Sequence, residues 1–167
     1  MSNDFFLIKL KGHNESLSQE LQTIQMTGDK ISERVGHSTV MISDKLYIFG
    51  GTGENQEILS DMYVVDTTEM TIKKIFIRSP SPSITLGFGL HLFEDNLLIY
   101  GGFDGENDSN EMYIFDLKHE RWSVVQQAKQ LDKIHIGGSS AMVHGKLMLF
   151  GRFSSVRVTN FYFFLTI

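Results

Sequence analysis

Four oxygen donors alternate along one stretch of this chain, Asp104, Glu106, Asp108 and Asn110. Side chains at every second position can converge on a hard cation such as calcium. The remaining parts of a calcium loop are absent, because the glycine is misplaced and the twelfth position from Asp104 is Phe115, where a bidentate carboxylate is needed. The histidines, His13, His37, His91, His119, His135 and His144, show neither His-x-x-x-His nor His-Glu-x-x-His spacing, which argues against zinc. His37 beside Arg34 could serve as a base, but it reads as a structural histidine.

Nucleophilic and phosphate chemistry fare no better. Gly50-Gly51-Thr52-Gly53 is followed by Glu54 and a strand pattern rather than by the Gly-Lys-Ser/Thr and helix of a P-loop. No Gly-x-Ser-x-Gly elbow occurs, and Ser38, Ser139 and Ser140 have no local His or Asp to activate them. The chain has no cysteine, which removes disulfides, thiolate nucleophiles and Cys-ligated metals. The expectation is a chain without catalytic residue, cofactor or metal.

Composition bounds the remaining classes. The 167 residues are 41% hydrophobic and 21% charged, with a formal net charge of −5, as for one soluble globular domain. Lys and Arg form no run of three or more, so nucleic acid is not an expected partner. No apolar stretch reaches the 18 residues of a spanning helix, and Met1-Ser2-Asn3-Asp4 lacks the basic start of a signal peptide. These features predict a cytoplasmic chain with no membrane partner.

The elements that must carry any site follow from a repeat. A double glycine ends an apolar run at Gly50-Gly51 and again at Gly101-Gly102, and a third run ends at Gly151-Arg152. Lys45 to Phe49 aligns with Asn96 to Tyr100 and Lys146 to Phe150, Val35-Gly36 with Leu86-Gly87, and Tyr63 with Tyr113. A period of 50 or 51 residues marks a repeat architecture.

Each unit reads as four short strands rich in Val, Ile, Tyr and Phe and broken by Gly, Asn, Asp and Ser. In the first unit they are Ser38 to Ile42, Lys45 to Phe49, Asp61 to Asp66 and Thr71 to Ile75, with Ser43-Asp44 as a tight turn. In the second they are Phe88 to Phe93, Asn96 to Tyr100, Glu111 to Asp116 and Arg121 to Val125, with Glu94-Asp95 as the matching turn. Paired glycines permit positive φ and close backbone approach where the second strand leaves the sheet. Tyr63, Tyr113 and Trp122 are read as packing residues that fill the wedge between sheets while a hydroxyl or indole N–H finds a partner.

Arg34-Val35-Gly36-His37-Ser38, the paired glycines, the tyrosine about twelve residues on and Trp122 resemble kelch repeats. The resemblance implies an all-β fold of four-stranded antiparallel blades in a β-propeller. The first unit lacks the tryptophan at Ile72, and Arg152 stands where the third unit should have glycine, so that turn is expected to be rebuilt or strained. A single kelch-repeat domain over 1–167 is expected, with a half blade at 1–30 (third and fourth strands), blades at 34–76 and 85–126, and a partial blade at 136–167 (first to third strands). Three to three and a half blades fall short of the five to seven usual for kelch rings. The chain is therefore read as part of a longer propeller, with a homodimer completing six blades as an alternative. Unpaired, the terminal run Phe161 to Ile167 is an aggregation segment.

In kelch domains the loops between second and third strands, together with those between blades, form one binding face. The resemblance thus implies a scaffold or adaptor that binds a protein or peptide. Here that face draws on Glu54, Asn55, Glu57, Phe103, Asp104, Glu106 and Asp108 from the first loop set. Arg34, Arg78, Lys133, His135 and Arg152 come from the second set and the third unit. Its acidic part would select a basic peptide. A kelch-type enzyme such as a sugar epimerase or mutarotase is the alternative function, as is a structural element of a larger protein. The kelch copper oxidase chemistry is excluded, since its cofactor needs a tyrosine crosslinked to a cysteine.

Overall fold

The computed structural model describes residues 5–13, 16–83, 87, 89–126, 139–153 and 158–166. Among them there are strands and no helix. An N-terminal hairpin of β1 (Phe5–His13) and β2 (Ser16–Ile24) is followed by the short β3 (Thr27–Gly28). The first complete blade holds β4 (Ser38–Ile42), β5 (Lys45–Phe49), β6 (Met62–Asp66) and β7 (Thr71–Ile75). The second holds β8 (Gly89–Phe93), β9 (Asn96–Tyr100), β10 (Met112–Asp116) and β11 (Arg121–Val124). A third sheet contains β12 (Ser139–Val143), β13 (Lys146–Phe153) and β14 (Val158–Thr166).

Within each blade, consecutive strands pair antiparallel and in order, and the sheets stay open. The first strands β4, β8 and β12 are neighbours, which makes them the innermost row. One addition has no signal in the sequence pattern. β3 lies parallel to β7 through Thr27↔Thr71 and Gly28↔Ile72, so the residues preceding the first blade form a fifth strand on its outer edge. In the N-terminal hairpin β1 and β2 pair along their whole length, from Phe5↔Ile24 to His13↔Ser16.

Local conformation repeats as the sequence does. Ser43, Glu94 and His144, the first residue of each two-residue hairpin turn, all take positive φ (52°, 51° and 49°). Asp66 and Asp116 close the four-residue turns before β7 and β11. The Oδ1 of Asp66 accepts from the amides of Thr68 and Glu69, and that of Asp116 from Lys118 and His119, at 2.9–3.0 Å.

Gly50 and Gly51 take φ of 72° and 97°, Gly101 and Gly102 of 69° and 103°, as the paired glycines require. The third unit departs from this. β13 runs straight through Gly151 and Arg152 to Phe153, with a register shift between Phe150 and Arg152, so the turn is rebuilt as continuous strand. The apolar C-terminal run is not left unpaired, because β14 pairs with β13 from Lys146↔Thr166 to Phe150↔Tyr162.

Packing lies between the sheets. Phe49, Met62 and Ile75 of the first blade meet Leu90, Leu97, Ile99, Phe115 and Trp122 of the second. The Trp122 ring stands 5.0 Å from Phe49 and 4.9 Å from Phe115, tilted at 54° and 55°, and fills the wedge expected of it. Its indole N–H is buried without a hydrogen-bond partner among the described residues, where a partner was expected. Leu98, Tyr100 and Met112 meet Leu147 and Leu149 of the third sheet, while Ile48, Tyr63, Val65 and Ile72 face Phe5, Met26 and Ile31.

Candidate functional site

Antiparallel strand order places the β5–β6 and β9–β10 loops at one end of the blades and the Ser43-Asp44 and Glu94-Asp95 turns at the other. The first loop is held by Thr52, which bridges Val35 and Ile58. Beyond it the Gly53 amide donates to the Glu57 carbonyl at 3.0 Å, and the Asn55 amide to the Glu57 carboxylate at 2.9 Å. That carboxylate folds over Gly53, where a Cβ would have to displace it. Glu54, Asn55 and Glu57 are exposed at the tip.

The second loop uses a different closure. Phe103 bridges Asp108, and Asp104 Oδ1 accepts from the amides of Glu106 and Asn107 at 2.8 and 2.6 Å. Asp104 is thus engaged by its own loop, half-buried like Phe103 and Asp108, while Glu106 is exposed. Among the described residues no group of three or more His, Asp or Glu is arranged to hold a metal ion. The two loops lie close together, since a Cβ at Gly105 would sit 3.3 Å from Ile58 Cδ1.

The cationic residues are distributed otherwise. Arg34 turns inward. Its Nη1 donates to Asp61 Oδ1 at 2.8 Å and to the Gly50 carbonyl at 3.0 Å, and its guanidinium carbon lies 5.1 Å from the Tyr63 ring centroid. Only 3% of its side chain is exposed. Lys74 Nζ reaches the other Asp61 oxygen at 3.2 Å. Burial raises the Asp61 carboxyl, and the bonds from Arg34 and Lys74 outweigh it and hold the group below its ordinary value. Tyr63 is pushed up by burial and then by the Asp61 charge.

Arg78 is not brought to this end. Its amide donates to the Glu120 carbonyl at 2.7 Å and its Nε lies 3.5 Å from Glu120 Oε2, at the turn before β11. The physical reason is that the chain between blades first runs along the outer edge, as β3 does, before it turns inward. Arg152 lies within β13 rather than in a loop. Lys133 and His135 lie outside the described residues. Of the residues expected on that face, the described ones exposed at this end are Glu54, Asn55, Glu57 and Glu106.

Two arrangements had no local sequence signal. His91 Nε2 lies 2.8 Å from Ser140 Oγ, tying β8 to β12 across the innermost row, and Gly89 leaves the space for it. Burial holds the His91 imidazole below its ordinary value, so it is neutral at pH 7. In the second blade the Tyr113 hydroxyl donates to the Glu111 carboxylate. Burial and then that carboxylate push the Tyr113 hydroxyl up.

The family model of the KLHDC2/KLHL20/DRC7 kelch-repeats domain matches residues 1–167. Kelch domain-containing protein 10 of Xenopus tropicalis is 26% identical over 133 residues, which cover 71% of this chain and 32% of that protein. Acyl-CoA-binding domain-containing protein 4 of Arabidopsis thaliana is 28% identical over 131 residues, 70% of this chain and 20% of that protein. Rho GTPase-activating protein gacHH of Dictyostelium discoideum is 28% identical over 91 residues, 53% of this chain and 6% of that protein. The chain spans less than a third of each of these relatives.

Proposed function

The chain belongs to the KLHDC2/KLHL20/DRC7 kelch-repeats domain family, and from that premise we propose that it is a non-catalytic protein-interaction module whose β5–β6 and β9–β10 loops bind a basic segment of a partner protein. The observation that carries this reading is the approach of Ile58 to Gly105, which sets the two loops side by side. That surface presents Glu54, Glu57 and Glu106 to solvent, while the Arg34 guanidinium is engaged inside the blade. Acidic side chains on a scaffold of paired strands favour a basic partner through on-rate and specificity more than through raw affinity.

The test is fluorescence anisotropy with a labelled peptide of alternating glycine and lysine. Glu54→Lys with Glu106→Lys is expected to weaken its binding about tenfold, and added salt to weaken the wild-type interaction further. Equal affinity of the double variant and the wild type contradicts the reading.

The enzyme alternative, a sugar epimerase or mutarotase, has one observation in its favour, the His91–Ser140 pair on the innermost strands. Turnover of an aldose that is lost in Ser140→Ala would replace the binding-module reading. A cytoplasmic setting is also part of the proposal and rests on the cysteine-free composition. Pairing of the open sheets with a second copy competes with pairing to other blades, and light scattering at twice the monomer mass would identify it.

A further inference from the structure

The two blades repeat one acceptor set and differ in the residues that the sequence sets against it. In the first blade Asp61, the Tyr63 ring and the Gly50 carbonyl surround the Arg34 guanidinium, with Lys74 on the second carboxylate oxygen. In the second blade Glu111, Tyr113 and Gly101 hold the same positions. The Gly101 amide donates to the Glu111 carbonyl at 3.0 Å as the Gly50 amide does to the Asp61 carbonyl at 3.3 Å.

Both cations are gone from the second copy. The alignment of Val35-Gly36 with Leu86-Gly87 sets Thr85 against Arg34 in the sequence. Strand register puts Val124 at the place of Lys74, because Tyr63 pairs with Lys74 and Tyr113 with Val124. Glu111 is exposed and pairs with no cation among the described residues.

We propose that Glu111, the Tyr113 ring and the Gly101 carbonyl receive an arginine side chain of the partner, in the position that Arg34 occupies within the first blade. The protein carries a filled copy of the site, and that copy defines the ligand chemistry. A planar guanidinium reaches a carbonyl and a carboxylate together while lying over a tyrosine ring, whereas a lysine ammonium offers a single point charge. The proposal rests on the loop-face reading and assigns one specific contact beside it.

The experiment is a ¹H–¹⁵N titration of the full chain with acetyl-Gly-Arg-Gly-amide and with the lysine and glutamine counterparts. The arginine peptide is expected to shift the Tyr113 and Glu111 amides saturably and to bind about fivefold more tightly than the lysine peptide, with no saturable shift from glutamine. Glu111→Gln is expected to weaken it about tenfold. Val124→Lys, which sets a cation opposite Tyr113 as Lys74 stands opposite Tyr63, is expected to do the same, and Val124→Arg provides a second occluding variant should that one misfold. Equal shifts from the arginine and glutamine peptides, or full affinity in the occluded variants, overturn the proposal.

The parent reading fails separately. If the glycine-lysine peptide depends on Glu54 and Glu106 while the arginine peptide ignores Glu111→Gln, the arginine site is wrong and the loop face stands. If the arginine peptide depends on Glu111 while loop variants change nothing, the site stands and the loop face falls. Failure of every peptide to bind overturns both.

Discussion

Arg34 and Asp61, 27 residues apart in the chain, meet at 2.8 Å where the inter-blade segment turns into the first blade. With the Gly50 carbonyl and the Tyr63 ring they pin the start of the inner strand to the end of the second. This relationship moves Arg34 from the binding surface to the scaffold beneath it.

Removal of that side chain strands a partly buried carboxylate. Arg34→Ala is expected to lower unfolding stability by about 2–3 kcal/mol, less than for a fully buried pair because Lys74 still reaches Asp61. The folded Asp61 carboxyl lies below its unfolded value, so this stabilisation is present above the ordinary carboxylate range and lost as pH falls through the lowered folded value. Urea unfolding of wild type and variant at neutral and strongly acid pH should show the difference shrinking in acid.

Trp122 is the protein's single tryptophan and packs against both Phe49 and Phe115. Its fluorescence therefore reports the junction of the two blades, with a blue-shifted native emission that moves red on unfolding. Trp122→Ala is expected to cost about 3–5 kcal/mol. Trp122→Phe should cost less, because the indole N–H has no bond among the described residues to lose. Chemical denaturation followed by circular dichroism distinguishes the two.

Much of this scaffold was legible in the sequence, and the reasons are local. The blade strands, their two-residue turns and the paired glycines each depend on residues within a few positions, so a 50-residue period exposes them. Arg34 was expected at the surface because its partners lie 16 and 27 residues away. Arg78 was expected on the loop face because nothing in Thr27-Gly28 or Arg78-Ser79 marks a segment that runs along an outer strand. His91 and Ser140 are 49 residues apart and meet only once two sheets are packed.

Two glycines with positive φ should respond differently to alanine. At Gly51, φ is 97° and a Cβ would sit 2.8 Å from the Val35 carbonyl oxygen, so strain and backbone collision add. Gly51→Ala is expected to destabilise by about 2–3 kcal/mol. At Gly145, φ is 70° with nothing within 4 Å, and the cost there is the conformational penalty alone, about 1 kcal/mol. Melting temperatures in that order support the assignment of the double glycine as a structural requirement, and equal ones contradict it.

Mild acid should also weaken the fold. His91 is lowered by burial, and His37 by burial and then by Arg34. Between the folded and the ordinary imidazole values the unfolded chain binds more protons, so stability falls as pH drops from about 7 through that interval. His91→Gln should flatten the decline between pH 7 and 5 in thermal melts. An unchanged slope would show that the His91–Ser140 tie is not its source.

The most direct test of the central claim maps where a basic peptide lands. Amide shifts recorded during titration with the glycine-lysine peptide are expected to cluster at 53–57 and 104–107, with the Ser43-Asp44 and Glu94-Asp95 turns at the opposite end of the blades unmoved. Shifts at those turns with a silent loop face would contradict the account.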